Sequence, residues 1–450
     1  MSPAAKPLWQ RFLVFLVPLM ISNILQSMSG TINNIFIGQM IGVDALAAVS
    51  TFFPIMILMI SFVVGLASGA AILIGQAYGA KNFEKIREVT GTTLTVTFLA
   101  ALVIAGGGWL LAPQLISLLG AADNIAATAS DYARVVFLGM PFFFVFMVLT
   151  SMLRGVSDTT TPLWTLGFSI LAGLVVTPAL IEGWFGLPKI GALAAAVAFI
   201  TGTVLALIFL YFYLDWRKSP LAPSTIIPRY LKIDLKLLGM VLKLGIPQGV
   251  AMMVSSLAAI VVVGIVNRFG SDATAAFGAV NQVMSYVQFP AMSLTIASSI
   301  FAAQAIGAKR MDEVEHVTRT GLIMNVFITG GLILIAYLFS ENLVRLFITS
   351  ESVVVMTQTL LHIVLWSVIA FGFGSVFSAV MRASGDVWIP MGISLAAILV
   401  IEVPAALILS RLMGLEGIWF AYCLSFVAML IMQATYYFVF WRKKEINALV

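Results

Sequence analysis

The chain has 450 residues, of which 61% are hydrophobic and 10% are charged, and its formal net charge is +5. Soluble domains carry about 25% charged residues, so this composition excludes a soluble globular protein. The positive charge does not indicate nucleic-acid binding, because the lysines and arginines are scattered between apolar runs.

Apolar runs long enough to cross a bilayer recur along almost the whole chain. A spanning helix needs about 20 such residues, and in lipid a helix satisfies its own backbone groups. Charged residues, Gly and Pro separate the runs. They predict helices at 8–39, 44–77, 90–118, 129–153, 160–182 and 190–215, and a second set at 237–268, 273–306, 317–347, 353–381, 387–411 and 416–441.

A polar break separates the two sets of predicted helices. It is the longest such break in the chain, and it carries Pro220 and Pro223 among basic residues. A stretch of this composition is typical of a linker. The predicted organisation is an N-terminal six-helix bundle at 1–215, a cytoplasmic linker at 216–236 and a C-terminal six-helix bundle at 237–450.

The basic residues indicate how the predicted helices cross the membrane. With a cytoplasmic N-terminus, all but five of the 24 lysines and arginines fall on the inner side of the spans. Inner loops of membrane proteins are enriched in these residues, so we expect both termini in the cytoplasm. The five exceptions are Arg134, Lys189, Arg268, Arg345 and Arg411.

The two halves repeat short sequence words at a constant distance of 228 residues. Gln-Ala-Tyr-Gly-Ala-Lys at 76–81 recurs as Gln-Ala-Ile-Gly-Ala-Lys at 304–309, and Leu-Arg-Gly-Val-Ser-Asp at 153–158 recurs as Met-Arg-Ala-Ser-Gly-Asp at 381–386. Such a spacing indicates a duplicated unit. The predicted fold is an all-α membrane protein with 12 transmembrane helices in two pseudo-symmetric six-helix bundles, and we expect the substrate site between the copies.

These words resemble the multidrug and toxic compound extrusion (MATE) transporters of the multidrug/oligosaccharidyl-lipid/polysaccharide flippase superfamily. The likeness rests on Phe-Ile-Gly-Gln at 36–39, Asp-Ala-Leu-Ala-Ala-Val at 44–49, Gly-Gln-Ala-Tyr-Gly-Ala-Lys at 75–81 and Leu-Arg-Gly at 153–155, with the repeated words of the second half. The resemblance implies a MATE-like pair of bundles that exports amphipathic, often cationic organic compounds across the inner membrane by antiport with H⁺ or Na⁺.

The same resemblance implies several further properties. The chain is expected to be a transporter and not an enzyme, and to need no cofactor besides the coupling ion. It is expected in the bacterial cytoplasmic membrane, acting as a monomer on small organic molecules, with membrane lipids and without nucleic acid as partners.

Three positions depart from the acidic residues that the resemblance implies. Asn33 stands where the family commonly has an aspartate, three residues before the Phe-Ile-Gly word. Thr177 stands before the proline of the fifth helix, and Ser255 at a glutamate position of the seventh. An amide cannot exchange a proton near neutral pH, but its carbonyl oxygen can help to coordinate Na⁺ near Asn33. The sequence therefore leaves open which ion is coupled.

Glu402 lies near the middle of the eleventh predicted helix, inside the apolar stretch 396–404. An ionisable group at this depth costs about 3 kcal/mol on insertion scales, so it is expected to face the bundle interior or a wet cavity. Pro404 opens the helix locally, since it removes one backbone hydrogen bond. We expect Glu402 to take part in ion coupling. The alternative is a protonated structural carboxyl bonded to a neighbouring helix.

Uncharged polar side chains supply the other candidates for substrate or ion binding. They lie on the first helix and around the hairpin of the seventh and eighth helices. Each of them can instead bond one helix to another, at about 0.6 kcal/mol, or cap a broken helix. The candidates are Asn23, Gln26, Asn33 and Asn34 in the first helix, and Gln248, Ser255, Asn281, Gln282 and Tyr286 in the hairpin.

Two repeated pairs of opposite charge suggest structural roles. Arg154 precedes Asp158 by four residues, and Arg382 precedes Asp386 by the same distance. That spacing predicts that each arginine binds its aspartate at a helix end and serves as an interfacial anchor.

Three other functions remain as alternatives, and one of them, a non-transporting structural or receptor role, leaves the duplicated bundles and Glu402 unexplained. A flippase for lipid-linked oligosaccharides or polysaccharides resembles this family in fold, but several basic residues are expected in such a cavity, and the deep polar groups here are amides, hydroxyls and one acid. A membrane enzyme would need a clustered nucleophile, base or metal site. Cys423 is the single cysteine, so a cysteine metal cluster is excluded.

Overall fold

The computed structural model describes residues 6–450. Twelve helices in this range are long and apolar enough to cross a membrane, which confirms the predicted all-α fold. The helices are α1 (Leu8–Met40), α2 (Val43–Gly79), α3 (Phe83–Leu118), α4 (Asp123–Gly155), α5 (Thr160–Glu182), α6 (Leu193–Trp216), α7 (Leu235–Phe269), α8 (Ser271–Gly307), α9 (Met311–Leu338), α10 (Glu351–Ala383), α11 (Trp388–Met413) and α12 (Leu415–Lys443).

Some helices begin earlier than the apolar runs predict. α3 begins at Phe83 instead of position 90, and α9 begins at Met311 instead of position 317. The side-chain oxygen of Asn82 caps α3 by accepting a hydrogen bond from the backbone N–H of Lys85 at 3.1 Å. Lys85 also forms an ion pair with Glu88 at 2.6 Å. Hydropathy marks the part of a helix that lies in hydrocarbon, and these polar first turns extend beyond it.

The ninth helix ends earlier than predicted. α9 ends at Leu338, and a short helix, Ser340–Arg345, follows after one residue. Ser340 is 2% exposed, and its hydroxyl lies 3.0 Å from Gln358 Nε2 and 2.9 Å from His362 Nε2. These contacts hold the short helix on α10, so the prediction of one continuous helix to position 347 is wrong in its last turns.

Contacts divide the chain into two compact units. The N-terminal unit consists of Ile21–Tyr78 and Asn82–Gly249. The C-terminal unit consists of Val250–Val450 with Gly79–Lys81 and the residues up to Met20. The division falls inside α1 and α7, whereas the sequence places the domain boundaries at 215 and 237, on either side of the linker.

Small residues allow close helix contacts in the N-terminal unit. α3 packs along α4, α5 packs along α6, and α4 also contacts α6. At Gly202 in α6, an added Cβ atom would lie 2.6 Å from the carbonyl oxygen of Ser169 in α5. Aromatic contacts fill the space between α4 and α6, where the rings of Phe143 and Phe199 lie 5.1 Å apart. Packing between small residues is typical of helix pairs in membranes.

The segment predicted as a linker is bound to the N-terminal unit. It contains a short helix, Pro223–Arg229. Beyond it, Thr92 of α3 donates its hydroxyl to the carbonyl of Lys232 at 3.0 Å and accepts the backbone N–H of Asp234 at 3.3 Å. These two bonds fix the end of the linker against the first turns of α3.

In the C-terminal unit, α8 packs on α9 and α10, and α12 packs on α10 and α11. Trp419 of α12 is 1% exposed, and its ring lies 4.9 Å from that of Phe277 in α8. The buried apolar residues around this contact come from α7, α8, α9, α10, α11 and α12 and from the short helix after α9, and they form one cluster. This cluster is the core of the unit on the side where α11 and α12 meet.

α10 is interrupted at Leu365 and Trp366. A break in a spanning helix leaves carbonyl groups without their usual partners, and lipid offers no replacement. Three side chains serve as donors here. Tyr337 Oη donates to the carbonyl of His362 at 2.7 Å, Cys423 Sγ to that of Ile363 at 3.2 Å, and Ser367 Oγ to that of Val364 at 2.5 Å.

The contact between α3 and the linker generates a prediction about stability. An added Cβ atom at Gly91 would overlap the backbone of Tyr230, whereas Gly107 on the same helix has nothing within 4 Å of that position. We expect Gly91→Ala to destabilise the protein by about 1–3 kcal/mol, as overpacking does. The measurement is the apparent Tm in detergent. Gly107→Ala is the control, and an equal Tm for the two variants would contradict the contact.

Candidate functional site

Glu402 lies in a widened turn of α11. Residues Ala397–Glu402 form a π-helical segment, and the backbone N–H of Val403 donates to the carbonyl of Ile398, five residues earlier. Pro404 follows, and it has no N–H with which to continue the regular hydrogen-bond pattern. Glu402 is 8% exposed, so the turn holds a buried carboxyl group. Single π-helical turns often occur at functional sites.

A serine of α12 binds Glu402. Ser425 Oγ lies 3.3 Å from Glu402 Oε2 and 3.0 Å from the carbonyl oxygen of Ala397. Ser425 is 2% exposed, so these bonds are shielded from solvent. A hydroxyl can donate one hydrogen bond and accept others. Ser425 therefore suits Glu402 in both protonation states, as a donor to the carboxylate and as an acceptor from the acid.

Aromatic side chains flank Ser425 on α12. The ring of Tyr422 lies 5.3 Å from that of Trp419 and 6.2 Å from that of Phe426, and Phe426 in turn lies 5.2 Å from Phe371 of α10. Within residues 6–450, the buried Nε1 atom of Trp419 has no hydrogen-bond partner. Helix α12 therefore places aromatic rings next to Ser425, the hydrogen-bond partner of Glu402.

In the N-terminal unit, two of the candidates meet. Thr177 is fully buried, and its hydroxyl lies 3.2 Å from Asn33 Oδ1 and 2.9 Å from the carbonyl of Gly173. The pair joins α1 to α5 one residue before Pro178. Both side chains are neutral, so this contact has no group that titrates near neutral pH. Na⁺ near Asn33 stays a prediction, and within residues 6–450 no group of three or more His, Cys, Asp or Glu could hold a metal ion.

The remaining candidates lie on less buried parts of their helices. Four of them are half-buried and four are exposed. Within the described part of the chain, no hydrogen bond joins Glu402 to the candidates of α7 and α8. The half-buried residues are Asn23, Gln248, Gln282 and Tyr286, and the exposed ones are Gln26, Asn34, Ser255 and Asn281.

A sequence profile of the MatE family matches residues 18–179 and 247–408. The chain belongs to the MatE family. One matched stretch lies in each half, which agrees with the internal repeat. The resemblance to MATE transporters that the repeated words indicated is therefore confirmed.

Other members of the MatE family cover nearly the whole chain. The chain is 44% identical over 449 residues to the Probable multidrug resistance protein YoeA of Bacillus subtilis (strain 168), covering 99% of this chain and 97% of that protein. It is 23% identical over 441 residues to the Probable multidrug resistance protein NorM of Thermotoga maritima, covering 96% and 92% of the two chains.

Solved structures of MATE transporters share the fold. A mutant of the Vibrio cholerae MATE transporter VcmN superposes with a TM-score of 0.89 at 19% identity, covering 97% of this chain and 98% of that one. An outward-facing multidrug resistance MATE transporter gives a TM-score of 0.88 at 20% identity, covering 95% of each chain. At such low identity, these matches establish the architecture of this MatE protein. The twelve apolar helices and the family together make it an integral membrane protein.

Sequence reasoning missed the partners of Glu402 in this MatE protein. Ser425 lies 23 residues after Glu402, in an apolar run with no feature that distinguishes it from other serines. The carbonyl of Ala397 carries no sequence signal at all. Pro404 indicates a local change in the hydrogen bonds of the helix, but it does not indicate which residue binds Glu402.

The bonds of Ser425 generate a prediction about stability. Ser425→Ala removes the hydroxyl that lies between Glu402 and the carbonyl of Ala397. The one of these two groups that accepts its single hydrogen bond is left without a donor, and an unpaired buried polar group costs about 1–3 kcal/mol. We expect a lower apparent Tm in detergent. The control is Ser410→Ala in α11, because Ser410 is also buried but donates only within its own helix, to Leu407. Equal losses in the two variants would show that Ser425 has no special role.

Proposed function

We propose that this MatE protein is a secondary active multidrug exporter that couples the entry of H⁺ or Na⁺ to the export of amphipathic, often cationic organic compounds. Membership of the family and the names of its relatives, including multidrug resistance proteins, support export. The observation on which ion coupling rests is the buried Glu402, held by Ser425 in the π-helical turn of α11.

A proton is the ion that this arrangement favours. A buried carboxyl can bind one proton with a single hydroxyl partner, and Ser425 is such a partner. Na⁺ prefers several oxygen ligands, of which Glu402 and Ser425 would supply two. Asn33 and Thr177 are neutral, so we assign the exchange of protons to the C-terminal unit and to Glu402.

The aromatic residues near Ser425 suggest how substrate and proton exclude each other. A cationic compound is attracted to aromatic faces and to an ionised carboxylate. When Glu402 is ionised, it attracts the cation, and when it is protonated, that attraction is lost. Proton binding and substrate binding therefore oppose each other, which is the coupling that antiport requires. Tyr422 and Phe426, both half-buried, are the rings best placed for such a contact.

The localisation follows from the same proposal. We propose that the protein lies in the bacterial cytoplasmic membrane with both termini in the cytoplasm, because the basic residues favour that orientation. It acts there as a transporter without its own enzymatic activity. A flippase for lipid-linked sugars is the second candidate, and preferential binding of a lipid-linked sugar over cationic dyes would reverse this order.

The central test of the proposed function is transport by inverted membrane vesicles. We expect wild-type vesicles to accumulate a labelled cationic dye under an imposed pH gradient, and Glu402→Gln vesicles to accumulate no more than vesicles without the protein, because glutamine cannot exchange a proton near neutral pH. The control is Glu416→Gln, since Glu416 is exposed at the start of α12.

Two results would speak against this proposal. Dye uptake that persists with ATP present after the ion gradients are collapsed would remove ion coupling. Equal uptake by wild type and Glu402→Gln, at equal protein level, would remove Glu402 from it. Uptake driven by a sodium gradient and not by a pH gradient would identify Na⁺ as the coupled ion.

The neutral pair of the N-terminal unit leads to a separate prediction. Asn33→Leu removes one of the two acceptors of the Thr177 hydroxyl but no titratable group, and the carbonyl of Gly173 remains as the other acceptor. We expect uptake driven by a pH gradient to remain within about threefold of wild type, because such a bond contributes only about 0.6 kcal/mol. Loss of pH-driven uptake in this variant, with normal protein level, would show that transport depends on the contact between Asn33 and Thr177, contrary to this prediction.

A further inference from the structure

Two arginines at equivalent positions of the repeat each have a buried Nε atom with no hydrogen-bond partner among residues 6–450. Arg154 lies in the last turn of α4, and Arg382 lies 228 residues later in the last turn of α10. Both are half-buried. Within residues 6–450, the Nε atom of each is buried without a hydrogen-bond partner, and neither arginine forms a salt bridge. Arg87 of α3 has the same kind of buried Nε atom, but the second half has Glu315 at the equivalent position, so only the pair at 154 and 382 is repeated. The repetition indicates a shared role for this pair.

The aspartates expected to bind these arginines have other partners. Asp158 accepts the backbone N–H of Thr161 at 2.9 Å and its hydroxyl at 2.6 Å. It therefore caps the start of α5. The predicted pairing of Arg154 with Asp158 is wrong for this reason, and no acidic side chain in residues 6–450 forms a salt bridge with Arg154.

The second aspartate is occupied by the C-terminal segment. Asp386 Oδ2 accepts Tyr436 Oη at 2.7 Å and Lys444 Nζ at 2.7 Å. The hydrogen bonds to Asp386 and Tyr436 raise the pKa of Lys444, which lies beyond the end of α12. Lys444 thus supplies the counter-charge of Asp386. The predicted pairing of Arg382 with Asp386 is also wrong, and Arg382 has no salt bridge to any acidic side chain in the described part of the chain.

The helix ends do not need these guanidinium groups either. At the end of α4, the carbonyl of Leu153 accepts the N–H of Asp158 at 2.9 Å, and the carbonyl of Arg154 accepts that of Ser157 at 2.9 Å. At the end of α10, the carbonyl of Arg382 accepts the N–H of Gly385 at 2.9 Å. Backbone bonds already satisfy these carbonyls, so the arginines are not there to cap them.

The predicted position of the two arginines near the cytoplasmic surface of the membrane indicates which kind of ligand they bind. Both lie on the side of the membrane that the basic residues assign to the cytoplasm. Exposed tryptophans follow each of them, Trp164 near the start of α5 at 66% and Trp388 at the start of α11 at 52%. Tryptophan is enriched at the level of lipid headgroups. The cytoplasmic leaflet is anionic, and basic groups on that side bind lipid headgroups.

We propose that Arg154 and Arg382 each bind the phosphate of an anionic lipid headgroup at the cytoplasmic ends of α4 and α10. The planar guanidinium group binds a phosphate through two parallel N–H···O bonds, and its positive charge balances the anion. One lipid is bound in each half of the repeat. This assignment does not depend on what the protein transports or on the coupled ion.

The test is native mass spectrometry of the full-length protein in detergent, with phosphatidylglycerol, phosphatidylcholine or inorganic phosphate added. We expect wild type to retain two molecules of phosphatidylglycerol, Arg154→Gln and Arg382→Gln to retain one each, and the double variant none. Each substitution should weaken binding at its site about tenfold or more, as expected for a lost charge-assisted hydrogen bond. Arg154→Lys and Arg382→Lys keep the positive charge but lose the two parallel N–H donors of the guanidinium group. They should weaken lipid binding less than the glutamine variants do.

Arg229→Gln is the matched control, because Arg229 also ends a cytoplasmic helix but is exposed. It should retain both lipids. Wild type that retains phosphatidylcholine as well as phosphatidylglycerol, or glutamine variants that retain both lipids, would overturn the proposal. The lipid assignment would also be overturned if inorganic phosphate occupied the two sites and prevented lipid binding at equal concentration.

Discussion

Every backbone carbonyl of a spanning helix must find a partner inside the protein, because the hydrocarbon offers none. This constraint explains the two irregular helices of the C-terminal unit. In α10, Tyr337, Cys423 and Ser367 satisfy three carbonyls at the break. In α11, Ser425 bonds the carbonyl of Ala397 in the π-helical turn. These polar side chains make the irregular backbone tolerable, and one of them is also the partner of the buried acid.

The two halves of the duplicated chain differ in the polar side chains that they bury between helices. The halves share the repeated sequences near the helix ends, but the buried polar residues between those ends are different. The N-terminal unit joins α1 to α5 through a neutral bond between Thr177 and Asn33. The C-terminal unit holds a titratable group, Glu402, in α11, the helix that corresponds to α5 in the repeat. A duplicated scaffold can in this way assign charge-dependent steps to one copy, while the other keeps helix contacts that do not depend on pH.

Much of the fold could be predicted from the sequence, since hydropathy and lipid thickness together determine where a helix spans. The polar first turn of α3 and the end of α9 at Leu338 could not be predicted in this way, because capping by Asn82 and the contacts of Ser340 depend on neighbouring structure. At the candidate site, the depth of Glu402 was visible as a chemical anomaly. Its partner Ser425 was not, because pairing across helices depends on packing. The predicted arginine–aspartate pairs do not form, because Asp158 binds Thr161 at the start of α5 and Asp386 binds Lys444.

The exchange of a proton on Glu402 for a cationic substrate can be tested without a membrane. Purified protein in weakly buffered detergent solution would be mixed with a cationic dye while released protons are followed with a pH indicator. The account predicts the release of up to about one proton per dye molecule bound, and none when Glu402 is replaced by Gln. Dye binding with no proton release in the wild type at any pH between 5 and 9, a range of about four units, would contradict it.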